Sequence, residues 1–199
     1  MGTRHLTMVI KNGETKVAQY GQWDGYLKGQ GANILHFLKK TNLDYFKKKL
    51  NDVSFYTEKQ MEENWEDFAI SKKIDPKAPF VDMNIMYEFY KIYPTLNRDM
   101  GSDVLNFIVN NKGKIMLRDD SSFAKDSLFC EFCYVIDFDK NTFEVYKGFN
   151  ENILNENERF AKLQNVNDEY KPVKHFISFS LDNLPSEEDF VSSEPDEDD

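Results

Sequence analysis

The dipeptide Asn12-Gly13 is the feature that most restricts how this chain folds. It stands between two runs in which polar and apolar residues alternate, HLTMVIK before it and ETKVAQYG after it. A two-residue type I′ turn needs positive φ at both central positions, and Asn-Gly satisfies that need at little steric cost. The sequence therefore predicts an antiparallel β-hairpin that turns at Asn12-Gly13.

A second hairpin is predicted late in the chain, with helices between the two. SLFCEFCYVIDFD and TFEVYKGF read as strands joined by a turn at DKN, and KHFISFSLDNL reads as a last strand. Apolar residues at helical spacing mark ANILHFLKK, NLDYFKKKL, TEKQMEENWEDFAI, VDMNIMYEFYKIYP and GSDVLNFIVNN. This order predicts an α+β fold, in which a mostly antiparallel sheet is built from the two hairpins and the helices pack on it.

Capping residues mark the starts of three of these helices. Thr57 and Gln60 have the spacing of a capping box, in which each side chain bonds the backbone N–H of the other residue. Asp82 and Ser102 precede two further helical patterns and are expected to cap them.

Charge divides the chain into a body and a tail. A single domain is expected over residues 1–184, followed by a disordered tail over 185–199 that holds eight acidic residues and no basic one. The formal net charge of −10 comes partly from this tail, so the body is nearly balanced. A balanced body argues against general nucleic-acid binding. The tail could solubilise the protein or engage a basic partner.

No segment of the sequence is predicted to enter a membrane. No apolar run approaches the roughly 20 residues that cross a bilayer. The first residues also lack the basic-then-apolar pattern of a signal peptide. The expected location is the cytoplasm.

Cys130 and Cys133 form a CxxC motif inside an apolar, strand-like run. The sequence has no second CxxC, and its three histidines are scattered. Buried free cysteines are therefore expected rather than a redox pair or a zinc site, and no metal or cofactor is predicted.

The most unusual stretch is QYGQWDGYLKGQG, residues 19–31, which we call the glycine-aromatic box. It lies between the second strand and the first helix, where glycines could bring backbone N–H groups close to a phosphate or carboxylate. Its rings could stack on a flat ligand and its amides could bond the ligand's edges; alternatively, the box is a tight connection whose aromatic side chains pack in the core. The predicted ligand-binding residues are Arg4, Gln19, Tyr20, Gln22, Trp23, Asp24, Tyr26, Gln30 and Gly31.

Several charged residues could add chemistry to the box. Arg4 and Asp24 are expected to approach each other across the hairpin, either as a ligand-binding pair or as an ordinary ion pair. Two charged loops, LNRDMGSD and LRDDSSFAKDS, could reach a shared cleft or could simply be solvated. Glu131 stands between apolar residues, where an ionised carboxylate needs a partner or a shifted pKa, although strand alternation could equally point it at solvent.

Two resemblances follow from these motifs. GTRHLTMVIKNGETKVAQYGQWDGYLKGQGANILHFL, with the later CEFCYVIDFDKNTFEVYKGFN, resembles a family without an assigned activity that is associated with bacteria, their phages and some fungi. Where that family commonly has proline after Gly-Tyr, this chain has Leu27. The order of elements is also similar to N-terminal-nucleophile hydrolases. Thr3 would remain one residue inside the terminus after removal of Met1, so this second likeness concerns the fold alone.

Three functions stay open on the sequence. The first is binding of an anionic or nucleotide-derived small molecule at the box, as in a phage protein that sequesters a signalling nucleotide. The second is a hydrolase or transferase that acts on such a ligand through Arg4, Asp24 and Glu131; no catalytic residue is assigned beyond that. The third is a protein-interaction module with an acidic tail. A homo-oligomer formed through Tyr- and Phe-rich surface strands is also possible.

Overall fold

The computed structural model of the chain describes residues 2–193. The strands are β1 (His5–Lys11), β2 (Glu14–Gly21), β3 (Val53–Phe55), β4 (Ile115–Leu117), β5 (Phe132–Asp137), β6 (Thr142–Lys147) and β7 (Lys174–Ser180). The α-helices are α1 (Ala32–Lys40), α2 (Leu43–Lys49), α3 (Glu58–Ser71), α4 (Met83–Ile92), α5 (Asp103–Asn110) and α6 (Glu187–Val191). Within residues 2–193, none of the helices combines the length and the apolarity that a membrane crossing requires.

The N-terminal hairpin forms as predicted. Asn12 and Gly13 have φ values of 57° and 72°, the conformation that a type I′ turn needs. Their backbone N–H groups both donate to the carboxylate of Asp139, at 2.7 Å each. Because Asp139 lies in the turn between β5 and β6, this carboxylate ties the turns of the two hairpins together.

The two hairpins join through parallel strands in the centre of a five-stranded sheet. The strand order is β2-β1-β5-β6-β7, and β1 pairs with β5 in parallel, with Thr7 opposite Tyr134. The other three pairings are antiparallel, and β3 and β4 form a small parallel sheet. The α+β fold with a mostly antiparallel sheet is therefore confirmed.

Both faces of the large sheet are buried. Val9 and Ile136 lie on the face that packs against helices, among core residues from α1, α2, α5 and α6. Leu6 and Val135 lie on the other face, which is covered by irregular chain contributing Ala124, Leu154, Phe160, Ala161 and Val173. Open positions are consequently found at the edges of the sheet and at the ends of its strands.

Two of the three predicted helix caps form. Thr57 and Gln60 make the complete capping box of α3, and the Asp82 carboxylate accepts the backbone N–H of Asn84 at the start of α4. The prediction for Ser102 is wrong, because its hydroxyl donates to the Gln30 side chain instead of capping α5.

The predicted disorder of the tail is wrong for its first part. Residues 187–191 form α6, whose start is capped by Ser186: the hydroxyl oxygen accepts the backbone N–H of Asp189 at 3.0 Å. Phe190 is fully buried in the core on the helical face of the sheet. The remainder of the predicted tail, residues 194–199, lies outside the described residues.

Cys130 and Cys133 are buried and free, as expected from their apolar context. Only Cys133 lies in β5; Cys130 precedes the strand, and its thiol is 3.4 Å from the carbonyl oxygen of Phe132. Burial raises the pKa of both thiols. Both therefore remain protonated and unreactive near neutral pH.

Candidate functional site

A cleft of about 520 Å³ opens at the edge of the large sheet beside β2. The chain around Asp120 covers part of this edge: the Asp120 backbone N–H donates to the carbonyl oxygen of Ala18 at 2.9 Å. The Tyr20 backbone N–H in turn donates to the Asp120 carboxylate at 3.0 Å. These bonds fix one part of the lining, and residues 96–98 contribute another part.

Three residues of the glycine-aromatic box line the cleft: Gln19, Tyr20 and Gln22. The Gln19 side chain is buried, and its amide nitrogen donates to the carbonyl oxygen of Tyr20 at 3.4 Å. Its Oε1 has no hydrogen-bond partner within the described part of the chain. The Tyr20 ring packs edge-to-face on Phe123, with ring centroids 4.9 Å apart. The cleft therefore combines a buried acceptor with an aromatic wall.

The two charged loops meet at this cleft. Arg98 comes from one loop and donates to Gln22 Oε1; Arg118 comes from the other and lies 2.8 Å from the Asp120 carboxylate. The Asp120 side chain is only 10% exposed, and this burial raises its pKa against the opposing effects of the Tyr20 N–H and Arg118. Both guanidinium groups are at the rim, where they retain N–H donors for a ligand.

Trp23, Asp24 and Tyr26 are outside the lining of the cleft. The Trp23 indole N–H donates to the Asp99 carboxylate at 2.9 Å, which ties the box to the loop that carries Arg98. The Tyr26 hydroxyl donates to the Asp24 carboxylate at 3.1 Å. Trp23 therefore positions a wall of the cleft rather than lining it.

Gln30 and Gly31 have structural roles. Gln30 Oε1 accepts the Ser102 hydroxyl, which ties the box to the start of α5. Gly31 lies against Tyr134 and Phe190, and a Cβ at this position would come within 2.9 Å of the Tyr134 hydroxyl oxygen. Close packing therefore explains this glycine.

The backbone N–H groups of Gly25, Gly29, Gln30 and Gly31 in the box are already used. Those of Gly25 and Gln30 donate to the carbonyl oxygens of Thr3 and Asp24, at 2.9 and 2.8 Å. Those of Gly29 and Gly31 both donate to the Tyr26 carbonyl oxygen. The expectation that these glycines present backbone donors to a ligand is therefore wrong, and the donors of the site are side chains.

Arg4 pairs with Glu131, not with Asp24 as the hairpin predicted. Its Nε lies 3.6 Å from Glu131 Oε1, and its backbone N–H donates to the same oxygen at 3.1 Å. The guanidinium lies over the Phe129 ring, 4.6 Å from the centroid. The cause is the parallel pairing of β1 with β5, which brings the residue before β5 to the residue before β1.

Buried polar atoms without partners are concentrated in the first hairpin. Besides Gln19 Oε1, they include the Thr7 hydroxyl and both ring nitrogens of His5, none of which has a hydrogen-bond partner among residues 2–193. Thr7 is opposite Gln19 and His5 is opposite Gly21, so all four positions are on one face of β1 and β2. A Cβ on Gly21 would overlap the His5 ring, at 2.0 Å from its Cε1. Of these residues, Gln19 lines the cleft.

His5 is expected to make the protein sensitive to mild acid. Burial lowers its pKa from 6.5 to about 3, so between these values the unfolded chain binds a proton that the folded protein does not. The free energy of unfolding should then fall as the pH drops below 6.5, by up to about 1.4 kcal/mol per pH unit. Chemical denaturation at about pH 7 and about pH 5 measures this. His5→Asn should flatten the dependence of the free energy of unfolding on pH, whereas His175→Asn, at an exposed position, should preserve it. If the two variants showed the same dependence on pH, His5 would not be its cause.

Sequence reasoning missed Phe123 and Asn97 as lining residues and passed over His5. The two charged loops were the available signal for the cleft, but nothing local showed that they meet. In the described part of the chain, no three His, Cys, Asp or Glu side chains are grouped so that they could hold a metal ion.

No protein-family model, no curated protein and no solved structure matches this chain. The family resemblance of the N-terminal and late hairpin motifs therefore stays a prediction.

Proposed function

We propose that this chain binds a small anionic or nucleotide-derived molecule in the cleft beside β2. The observation that carries the proposal is the side-chain amide oxygen of Gln19, Oε1, which is buried and has no partner in the described chain, in a residue that lines the cleft. A buried acceptor left unbonded costs about 1–3 kcal/mol. A ligand N–H or O–H group that donates to this oxygen would recover that free energy.

The rest of the cleft supports the same class of ligand. Arg98 and Arg118 offer N–H donors at the rim, and guanidinium groups bind phosphates and carboxylates through paired hydrogen bonds. Tyr20 and Phe123 provide an aromatic wall for a flat ring. The volume of about 520 Å³ falls within the range of roughly 300–1,000 Å³ typical of small-molecule sites.

A thermal-shift screen against mononucleotides, cyclic nucleotides and the matching nucleosides tests the proposal. A ligand present at 100 times its dissociation constant should raise the free energy of unfolding by about 2.7 kcal/mol. The nucleosides should give smaller shifts, because they lack the anionic group that the arginines would bind. Absence of any shift across the whole panel would contradict the proposal.

Variants then locate the site by calorimetric titration of the best compound. Arg98→Ala removes a charge-assisted hydrogen bond worth about 1.5–3 kcal/mol, so affinity should fall about 10- to 100-fold. Gln19→Met keeps the volume but removes the acceptor, and it should also weaken binding. Lys40→Ala, which removes an exposed cation from α1, is the matched control. Unchanged affinity in both cleft variants would place the ligand elsewhere.

Turnover of the ligand is the second candidate function, and Asp120 is the residue that favours it. Burial raises the pKa of this carboxyl within the cleft, a feature common to catalytic acids and bases. Mass spectrometry of the incubated ligand separates the two functions. An unchanged mass supports binding alone, whereas a hydrolysed or transferred product supports catalysis.

A further inference from the structure

The cleft beside β2 is rich in side-chain acceptors with unused capacity. Gln19, Asp120 and Asp126 all line it. Gln19 Oε1 has no partner in the described chain, and the Asp126 carboxylate makes no hydrogen bond or ion pair within residues 2–193. A carboxylate accepts through about four lone-pair sites, of which Asp120 uses only part for the Tyr20 N–H and Arg118. The ligand should therefore bring several N–H or O–H donors as well as a negative charge.

Asp120 and Arg118 set an acceptor beside a donor in this cleft. Arg118 Nε lies 2.8 Å from Asp120 Oδ1, and the other N–H groups of Arg118 have no further partner among the described residues. The Asp120 side chain is 10% exposed, whereas the Arg118 side chain is 56% exposed. Hydrogen bonds to a carboxylate are stronger where water is largely excluded. A flat ligand with an acceptor next to its donors would satisfy both residues at once.

Guanine is the nucleobase whose edge matches this order. Its Watson–Crick edge presents the acceptor O6, then the donor N1–H, then the amino group at N2, so that two donor groups are adjacent. Adenine, cytosine and uracil each place an acceptor directly beside their donor on that edge. A carboxylate that bonds this donor then faces a lone pair. Because buried acceptors are costly to leave unpaired, such a site discriminates strongly against the wrong base.

We propose that the cleft selects a guanine nucleotide, an inference that rests on the proposed function. The Asp120 carboxylate accepts N1–H and one hydrogen of the N2 amino group, and Gln19 Oε1 accepts the other hydrogen. Arg118 donates to O6, with the base against the aromatic wall of the cleft. Arg98 binds the phosphate, and the Asp126 carboxylate accepts from the ribose hydroxyls. Each spare acceptor and donor of the cleft thereby gains a partner.

Calorimetric titration of the full chain with four compounds tests this selection. They are guanosine, inosine and adenosine monophosphates, and ribose phosphate, which has no base. The guanosine compound should bind about 10- to 100-fold more tightly than the adenosine compound. Inosine monophosphate keeps O6 and N1–H but lacks the amino group, so its affinity should lie between these two. Ribose phosphate should bind more weakly than guanosine monophosphate, because it cannot use Asp120 and Gln19 in this way.

Two variants connect the selection to the acceptors. Asp120→Asn keeps an oxygen for the Tyr20 N–H but turns the other oxygen into a donor, so the preference for guanosine over adenosine monophosphate should fall at least about 10-fold. Gln19→Met should reduce the preference for guanosine over inosine monophosphate. A variant that merely loosened the cleft would weaken all the nucleotides alike and leave these ratios unchanged. Asp44→Asn, which alters an 88% exposed carboxylate on α2, is the matched control.

The results separate this inference from the proposed function. Nucleotides that bind with equal affinity, or adenosine monophosphate that binds most tightly, overturn the guanine assignment and leave anion binding in place. Tighter binding of ribose phosphate does the same. A preference for guanosine monophosphate that survives Asp120→Asn also overturns the assignment, because other residues must then cause it. If none of the four compounds binds, the guanine assignment fails, and the thermal-shift panel decides separately on the proposed function.

Discussion

Replacement of Arg159 by methionine is expected to lower the free energy of unfolding by about 3–5 kcal/mol. The Arg159 guanidinium lies 2.6 Å from the Asp137 carboxylate and 2.8 Å from the Glu144 carboxylate, and it also contacts the Tyr146 hydroxyl. All the charged side chains of this group are largely buried, with Arg159 only 13% exposed. Methionine fills similar space but removes the buried cation that both carboxylates share, and the exposed Lys140, 3.9 Å from Glu144, is a weaker substitute.

The loss in Arg159→Met should depend on pH. Burial by itself raises the pKa of Asp137 and of Glu144. At Asp137, Arg159 and the backbone N–H groups of Lys140 and Asp139 outweigh burial and leave the pKa below its ordinary range. At Glu144, the Tyr146 hydroxyl, Arg159 and the Thr142 hydroxyl do the same. Such groups stabilise the wild type above about pH 4, and this contribution is lost as the pH falls through their folded-state pKa values. Without Arg159 both pKa values should rise, so the carboxylates take up protons at a higher pH and the deficit of the variant should shrink toward about pH 4.

Urea denaturation of the wild type and the variant at about pH 7 and about pH 4 measures both effects. Lys72→Met is the matched control, because Lys72 pairs with Glu88 at the surface and exposed pairs contribute about 0–1 kcal/mol. A deficit of the same size at both pH values would mean that lost packing, rather than unpaired charge, causes the destabilisation.

Local features of the fold could be predicted from the sequence because they depend on neighbouring residues. The turn at Asn12-Gly13 needs only two residues that tolerate positive φ. The start of α3 needs only Thr57 and Gln60. The predicted cap at Ser102 does not form, because the Ser102 hydroxyl donates to Gln30, a residue outside α5 that the local sequence does not indicate.

Pairings between distant segments could not be predicted. The parallel contact of β1 with β5 joins residues more than 120 positions apart, and alternation within a strand does not indicate its neighbour. That contact brings Glu131 to Arg4, so the expected pairing of Arg4 with Asp24 was lost with it. Because the strand next to β1 was not predicted, the ion-pair partner of Arg4 was predicted wrongly as well.

The candidate site was predictable only in part. Gln19, Tyr20 and Gln22 line the cleft because they end an edge strand, and the sequence marked their segment as unusual. The rest of the lining comes from loops about 80 to 100 residues later, whose charges alone do not distinguish a cleft from a solvated surface. The sequence suggested that the glycines of the box present backbone N–H donors to a ligand. In the structure, Gly31 is explained instead by its close packing against Tyr134.

Replacement of Phe190 by alanine is expected to lower the free energy of unfolding by about 3–5 kcal/mol, as for other buried phenylalanines. Phe190 has no exposed surface, and its ring centroid lies 5.6 Å from those of both Phe143 and Phe179. It also contacts Gly31, so α6 covers the end of the box against the sheet. Urea denaturation at neutral pH measures the loss, and Phe149→Ala, which removes a largely exposed ring, is the matched control.

The same variant decides whether the acidic segment belongs to the domain. The acidic composition of this segment favours disorder. The buried ring of Phe190 and the cap at Ser186 nevertheless hold a helix of five residues against the core. Ser186 begins that helix, and the Glu187 carboxylate lies 2.8 Å from His36 Nε2 on α1. A segment that only solubilised the protein would tolerate Phe190→Ala as well as Phe149→Ala. A large loss confined to Phe190→Ala would instead extend the domain to at least residue 191, because a disordered residue contributes no packing to lose.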